Sequence, residues 1–106
     1  MENTYIQVVT TTNTLSEAEA IAMTVLESRL AVCMQITPCT SFYHWKEKIE
    51  KAEEFRCLMK TKRELFPQLS AKIQTMHSYE TPEIIATVIT HGDAAYLKWM
   101  ADELHI

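Results

Sequence analysis

Ser41-Phe-Tyr-His-Trp-Lys-Glu-Lys48, followed after a charged stretch by Phe55-Arg-Cys-Leu-Met-Lys-Thr-Lys62, is the segment that decides the fold of this chain. Both arms read as β-strands. The second alternates, with Phe55, Cys57 and Met59 on one face and Arg56 and Lys60 on the other. Residues 47–54, almost all charged, are expected to join them. Each arm is longer than the ~5–6 residues of an average strand. A two-stranded ribbon projecting past its sheet is marginal alone, and its open edges invite pairing. Phe42, Tyr43 and Trp45 lie on the outer arm and bury much area when covered. They either cap the core of their own subunit or pack against neighbouring copies. The second reading is preferred, because closed cyclic symmetry hides every edge.

Outward from the ribbon, Ala31–Ile36 is a strand closed by Thr37-Pro38, and Tyr5–Thr11 and Glu83–Ile89 are two more. Ser16-Glu-Ala-Glu19 has the form of a capping box, and Ala18, Ile21, Ala22, Val25, Leu26 and Leu30 follow at helical spacing. Leu65, Leu69, Ile73 and Met76 mark a second amphipathic helix, with Pro67 confined to its first turns. Asp93 caps a third, which turns Tyr96, Leu97, Met100 and Leu104 inward. With the hairpin counted as a single unit, the order is β-α-β-β-α-β plus a C-terminal helix. That is the ferredoxin-like α+β plan, an antiparallel sheet with both main helices on one face.

The 106 residues suffice for one domain, spanning 1–106, with one core. Lys plus Arg number 10 against 14 for Asp plus Glu, a net charge of −4, which argues against a general nucleic-acid binder. No basic and apolar leader is visible, and no apolar run approaches the ~20 residues of a membrane span. Cys33, Cys39 and Cys57 form no CxxC and cannot all pair within the chain, so reduced thiols in the cytoplasm are expected. Met23, Met34, Met59, Met76 and Met100 sit on separate elements and read as core filler. His44 and His91 read as surface residues, and His105 as part of a fraying terminus.

Five segments together resemble the CutA family, from about Ile6 to Leu104. They are Leu30–Ile36, Ser41–Lys48, Met59–Phe66, His77-Ser-Tyr-Glu-Thr-Pro-Glu-Ile84 and Thr90-His-Gly-Asp-Ala-Ala-Tyr-Leu-Lys-Trp99, in the order and spacing of the family. The resemblance implies a ferredoxin-like subunit, a homotrimer built through the long hairpins, and a shape similar to the PII signalling proteins. It also implies a role in tolerance to copper and other divalent cations. The chain departs from the family pattern at several positions. Glu47 stands where a turn glycine is usual, so the turn is expected to be longer or of another type. Cys39 also stands for a glycine and Ser78 for a proline. Val9 and Met76 replace a cysteine and a histidine that some members carry.

Copper sites draw on thiolate, imidazole and carboxylate ligands. His77 and Glu83 share one segment, stiffened by Pro82, and could form part of a divalent-ion site completed from elsewhere or by a second subunit. Cys33 is a third candidate ligand, although a strand cysteine also serves as a small hydrophobe. Tyr43, Trp45, Lys60 and Tyr79 are the candidates for a ligand cleft between subunits. The expectation is therefore a non-enzymatic trimer that binds Cu(II) or another divalent cation weakly, with no organic cofactor and with a further protein partner left open. The alternatives are a PII-like sensor of a small anion, using Lys60, and an enzyme using His77 as acid or base beside Tyr79 and Glu83. No nucleophile stands beside a base in the sequence, and the single glycine excludes a Gly-rich phosphate loop.

Overall fold

Tyr5–Thr12 forms β1, in which Ile6, Val8, Thr10 and Thr12 are buried while the residues between them are half-buried. This two-residue period fixes which face of the sheet the helices cover. The computed structural model describes residues 4–104. Its other elements are α1 (Leu15–Glu27), β2 (Cys33–Trp45), β3 (Lys48–Lys62), α2 (Phe66–Met76), β4 (Ile85–Ile89) and α3 (Ala94–Glu103), with a short 3-10 turn at Arg63–Leu65. The strands form one antiparallel sheet in the order β2-β3-β1-β4. This is the ferredoxin-like α+β arrangement expected from the sequence. Ala18, Ile21 and Val25 of α1 and Leu69 and Ile73 of α2 join Ile6, Val8, Cys57 and Met59 in one core, on one face of the sheet. His105 lies outside the described residues.

Local chemistry sets the helix ends. α1 starts after Thr14, whose side chain accepts from the Glu17 amide at 3.2 Å. The capping box expected at Ser16 and Glu19 is therefore not used; Ser16 lies inside the first turn. The C-terminus of α1 is a Schellman motif. Arg29 sits at φ 58°, its amide donates to Leu26 O at 3.0 Å, and the Leu30 amide donates to Val25 O at 3.0 Å. The Arg29 guanidinium then donates to Glu103 O at 2.9 Å, which ties α3 to the end of α1. Pro67 falls in the first turn of α2, and the Asp93 carboxylate caps α3 through the amides of Ala95 and Tyr96. Met100 is fully buried, but Tyr96 is exposed and stacks beside the exposed Trp99, contrary to the inward position expected for it. Met23 is also exposed and does not fill the core.

The ribbon differs most from expectation. Pro38 does not close a strand. β2 runs unbroken through it, because β2 is an edge strand whose outer row needs no donor. The charged run 47–54 is no loop either: β3 begins at Lys48, and the two strands pair from Cys33↔Lys60 out to Trp45↔Lys48. Its charges hid the strand because this stretch has no covered face to demand apolar alternation. β1 accompanies β3 only as far as Thr12↔Phe55, so the ribbon beyond is two-stranded, in a molecule 44 Å long and 26 by 22 Å across. The turn is a two-residue hairpin with Lys46 at φ 49° and Glu47 at φ 64°. It has the left-handed backbone that a type I′ turn requires, and not the longer turn expected from the absent glycine. β4 starts at Ile85, two residues later than expected.

A non-glycine residue in the left-handed region costs about 1 kcal/mol. Glu47→Gly is expected to stabilise the folded chain by about that amount. A raised urea midpoint at unchanged slope supports the turn as described, and a lowered midpoint contradicts it.

Candidate functional site

The segment that follows α2 is fastened to the sheet and to α1 by His77 and Ser78. The His77 side chain is fully buried. Its Nε2 donates to Thr11 O at 2.7 Å, and its Nδ1 accepts from the Tyr79 amide at 3.1 Å. The neutral ring with its proton on Nε2 satisfies both contacts. The Glu17 carboxylate lies 3.7 Å from Nδ1 and is held by Ser78, whose amide and hydroxyl donate to its two oxygens at 2.6 and 3.0 Å. A proline at position 78 would have no amide hydrogen to give, so the serine found there adds a clamp. The ring of Tyr79 packs on His77 with centroids 4.9 Å apart, and its hydroxyl donates to Glu54 Oε2 at 2.5 Å. Burial, and then the bond to Glu54, hold the Tyr79 phenol well above its ordinary range.

This segment and the ribbon enclose a cleft of about 900 Å³. Tyr43 and Trp45, two residues apart on β2, line it together with Tyr79 and the carboxylates of Glu54, Glu80 and Glu83. Among the described residues no Lys or Arg contributes to the lining. Glu54 is 5% exposed although it stands in a charged run.

The structure thus brings together three of the four expected cleft residues, Tyr43, Trp45 and Tyr79, and adds Glu83 to them. Lys60 is elsewhere. It lies on the sheet face away from the helices, where its Nζ is 3.8 Å from Cys33 Sγ and 3.3 Å from Gln35 Oε1. The three candidate metal ligands are dispersed. Glu83 lines the cleft, and His77 sits behind Tyr79 with both nitrogens engaged. Cys33 faces Lys60, which pairs with Gln7, whereas His77 bonds Thr11, about 13 Å further along β1 at ~3.3 Å per residue. Among the described residues no three His, Cys, Asp or Glu side chains converge on one point. Glu17, Glu54 and Glu80 were missed by the sequence reading. Each sits beside other polar residues that look solvated, and the contacts of Glu17 and Glu54 are made to residues distant in the chain.

A four-stranded ferredoxin-like subunit with an overlong β2–β3 ribbon and a cleft at its base defines a recognisable class. The family model of the CutA1 divalent ion tolerance protein matches residues 6–103, and the chain belongs to that family. The divalent-cation tolerance protein CutA of Archaeoglobus fulgidus is 43% identical over 90 residues, covering 85% of this chain and 88% of that one. The protein CutA of Homo sapiens is 40% identical over 84 residues, 78% of this chain and 47% of the human one. Among solved structures, the A. fulgidus protein, described as periplasmic, superposes with a TM-score of 0.94 at 39% identity, covering 95% of this chain and 99% of that chain. The Cut A1 protein of Thermus thermophilus gives 0.93 at 33% identity, with 95% and 99% covered.

Two outcomes follow from this geometry. Tyr79→Phe leaves Glu54 buried without its donor and is expected to destabilise by about 1–3 kcal/mol; a change below a few tenths in urea unfolding contradicts the contact. The Cys57 thiol, enclosed beneath the helices, is pushed up to about 11 by burial. The folded chain therefore keeps a proton that the unfolded chain releases near 9, and stability is lost as pH rises through that window. Urea midpoints compared at pH 8 and pH 10.5 should fall less in Cys57→Ala than in the parent. An equal fall in both contradicts the burial of this thiol.

Proposed function

We propose that this chain acts as a non-enzymatic homotrimer in divalent-cation tolerance, binding Cu(II) or another divalent cation weakly. The observation that carries the reading is the ribbon itself. Phe42, Tyr43, Trp45 and Ile49 are 68, 40, 42 and 72% exposed in the single chain, on the outer ribbon where, among the described residues, β2 and β3 pair only with each other. Covering large apolar side chains of this kind is worth about 1.5–3 kcal/mol each, which favours association with further copies. Closed threefold symmetry satisfies the free strand edges of the ribbon, of β2 and of β4 without leaving a growing end. The three cysteines are free, which suits a reducing compartment and supports the cytoplasm as the place of action.

The metal reading draws on Glu83, which faces the cleft, with ligands completed by a second subunit. Cys33 offers a separate sulfur ligand on the open sheet face. His77 reaches a metal only by giving up its bond to Thr11 or to the Tyr79 amide, so its first task is to hold Tyr79 in place.

Sedimentation of the purified protein is expected to give about three times 12.2 kDa. Trp45→Ala is expected to shift that mass downward at micromolar concentration while the subunit stays folded. A parent protein that sediments as a stable monomer contradicts the assembly. Calorimetric titration with Zn(II) and Cu(II) is expected to lose stoichiometry in Glu83→Ala. Stoichiometry unchanged in Glu83→Ala, His77→Ala and Cys33→Ser contradicts the metal site.

A further inference from the structure

We infer that the bond between Tyr79 and Glu54 is a latch that fixes the angle at which the ribbon leaves the sheet. Tyr79 is thereby a positioning residue for association with a second copy of this chain. The inference rests on the homotrimer reading and adds to it a control point that lies outside the ribbon.

Place gives the first argument. β1 accompanies β3 as far as Thr12↔Phe55, and the next rung outward, Cys39↔Glu54, is the first without a third strand. Glu54 therefore stands at the root of the ribbon, where a two-stranded ladder is free to twist and bend away from its sheet. It is 5% exposed, and its carboxylate accepts from the Tyr79 hydroxyl at 2.5 Å. Among the described residues this is the one side-chain hydrogen bond or ion pair that joins residues 39–54 to the body of the subunit. The bond from Thr40 to Glu53 and the contact of Cys39 with Ser41 close within the ribbon itself.

The other end of the latch is rigid. The Tyr79 amide donates to His77 Nδ1 at 3.1 Å, and the two rings pack together. His77 is bonded in turn to Thr11 O of β1, and Ser78 donates twice to Glu17 of α1. Contacts thus run without a gap from α1 and β1 through residues 77–79 to the root of the ribbon. Leverage makes that point decisive for the tip. Trp45 lies six steps beyond Cys39. At ~3.3 Å per step, a swing of about 10° at the root displaces the tip by roughly 3.5 Å. Apolar side chains lose contact beyond ~4.5 Å, so the exposed rings of Phe42 and Trp45 need a fixed root to meet a partner surface. A subunit that already holds its ribbon at the docking angle gives up less freedom on association.

The test separates this role from a contribution to subunit stability alone. Tagged and untagged preparations of the full chain are mixed, and the appearance of mixed assemblies is followed by native mass spectrometry. Tyr79→Phe is expected to exchange subunits faster than the parent by about fivefold or more. Glu54→Gln keeps an acceptor for the Tyr79 hydroxyl and is expected to stay nearer the parent rate. Ile73→Val lowers subunit stability from within the core, away from the ribbon, and is expected to leave the rate unchanged. Exchange at the parent rate in Tyr79→Phe overturns the inference, and so does equal acceleration in Glu54→Gln or Ile73→Val. If Tyr79→Phe fails to fold, Glu54→Leu breaks the same bond from the ribbon side without leaving a buried charge. A parent that sediments as a monomer removes the homotrimer reading by itself. The latch is then read in that monomer from backbone NMR order parameters. Those of residues 39–54 are expected to fall from ~0.85 toward ~0.6 in Tyr79→Phe while those of β1 hold. Unchanged values in the ribbon overturn the latch.

Discussion

A strand pair with no third strand beside it leaves half of its backbone donors and acceptors facing water and offers no covered side-chain face. The outer part of β2 and β3 is under this constraint from Cys39↔Glu54 to Trp45↔Lys48. What holds it extended within one chain is the ladder between the two strands and a turn that places Lys46 and Glu47 in the left-handed region. Both contributions are small, since isolated hairpins are marginal and the turn carries strain. The exposed rings of Phe42, Tyr43 and Trp45 are therefore best understood as half of an interaction. The proposed trimer supplies the other half.

The cleft depends on the same ribbon. One wall is β2, and the other is the segment that His77 and Ser78 fasten to Thr11 and Glu17. Tyr79 joins the walls through its bond to Glu54 at the base of the ribbon. His77 thus acts on the cleft through position: its ring is enclosed, fully bonded and packed against Tyr79, which lines the cleft. A chain with an acidic balance of −4 places Glu54, Glu80 and Glu83 along this one cleft, with no Lys or Arg among the described residues that line it.

The three helices and the central strand were legible because burial imposes a period on their sequences. Ile21 and Val25, Leu69 and Ile73, and the alternation in β1 all record the covered face. Asp93 marked its helix by the chemistry of its side chain, whereas Ser16 misled because Thr14 provides an equivalent oxygen two residues earlier. The outer ribbon was read only in part. Residues 48–54 carry charges on both faces, so nothing distinguishes them from a loop until their pairing with 39–45 is seen. The aromatic half of the cleft was legible through the family resemblance, since Tyr43, Trp45 and Tyr79 stand in its motifs. Of its acidic half only Glu83 was singled out; Glu54 was not, because its burial is decided by a tyrosine 25 residues away. Lys60 was misplaced in the cleft for the converse reason: alternation puts it on the same sheet face as Glu54, Tyr43 and Trp45, but it lies six residues, about 20 Å, further along β3 at the other end of the strand.

The central claim is that the ribbon is sheltered by sister chains. Amide hydrogen exchange of the native protein at micromolar concentration, read over residues 39–54, tests it most directly. The account predicts protection in the outer ribbon comparable to that of β1, falling on dilution as the assembly dissociates. Exchange at the rate of an exposed two-stranded hairpin, unchanged by concentration while β1 stays protected, contradicts it.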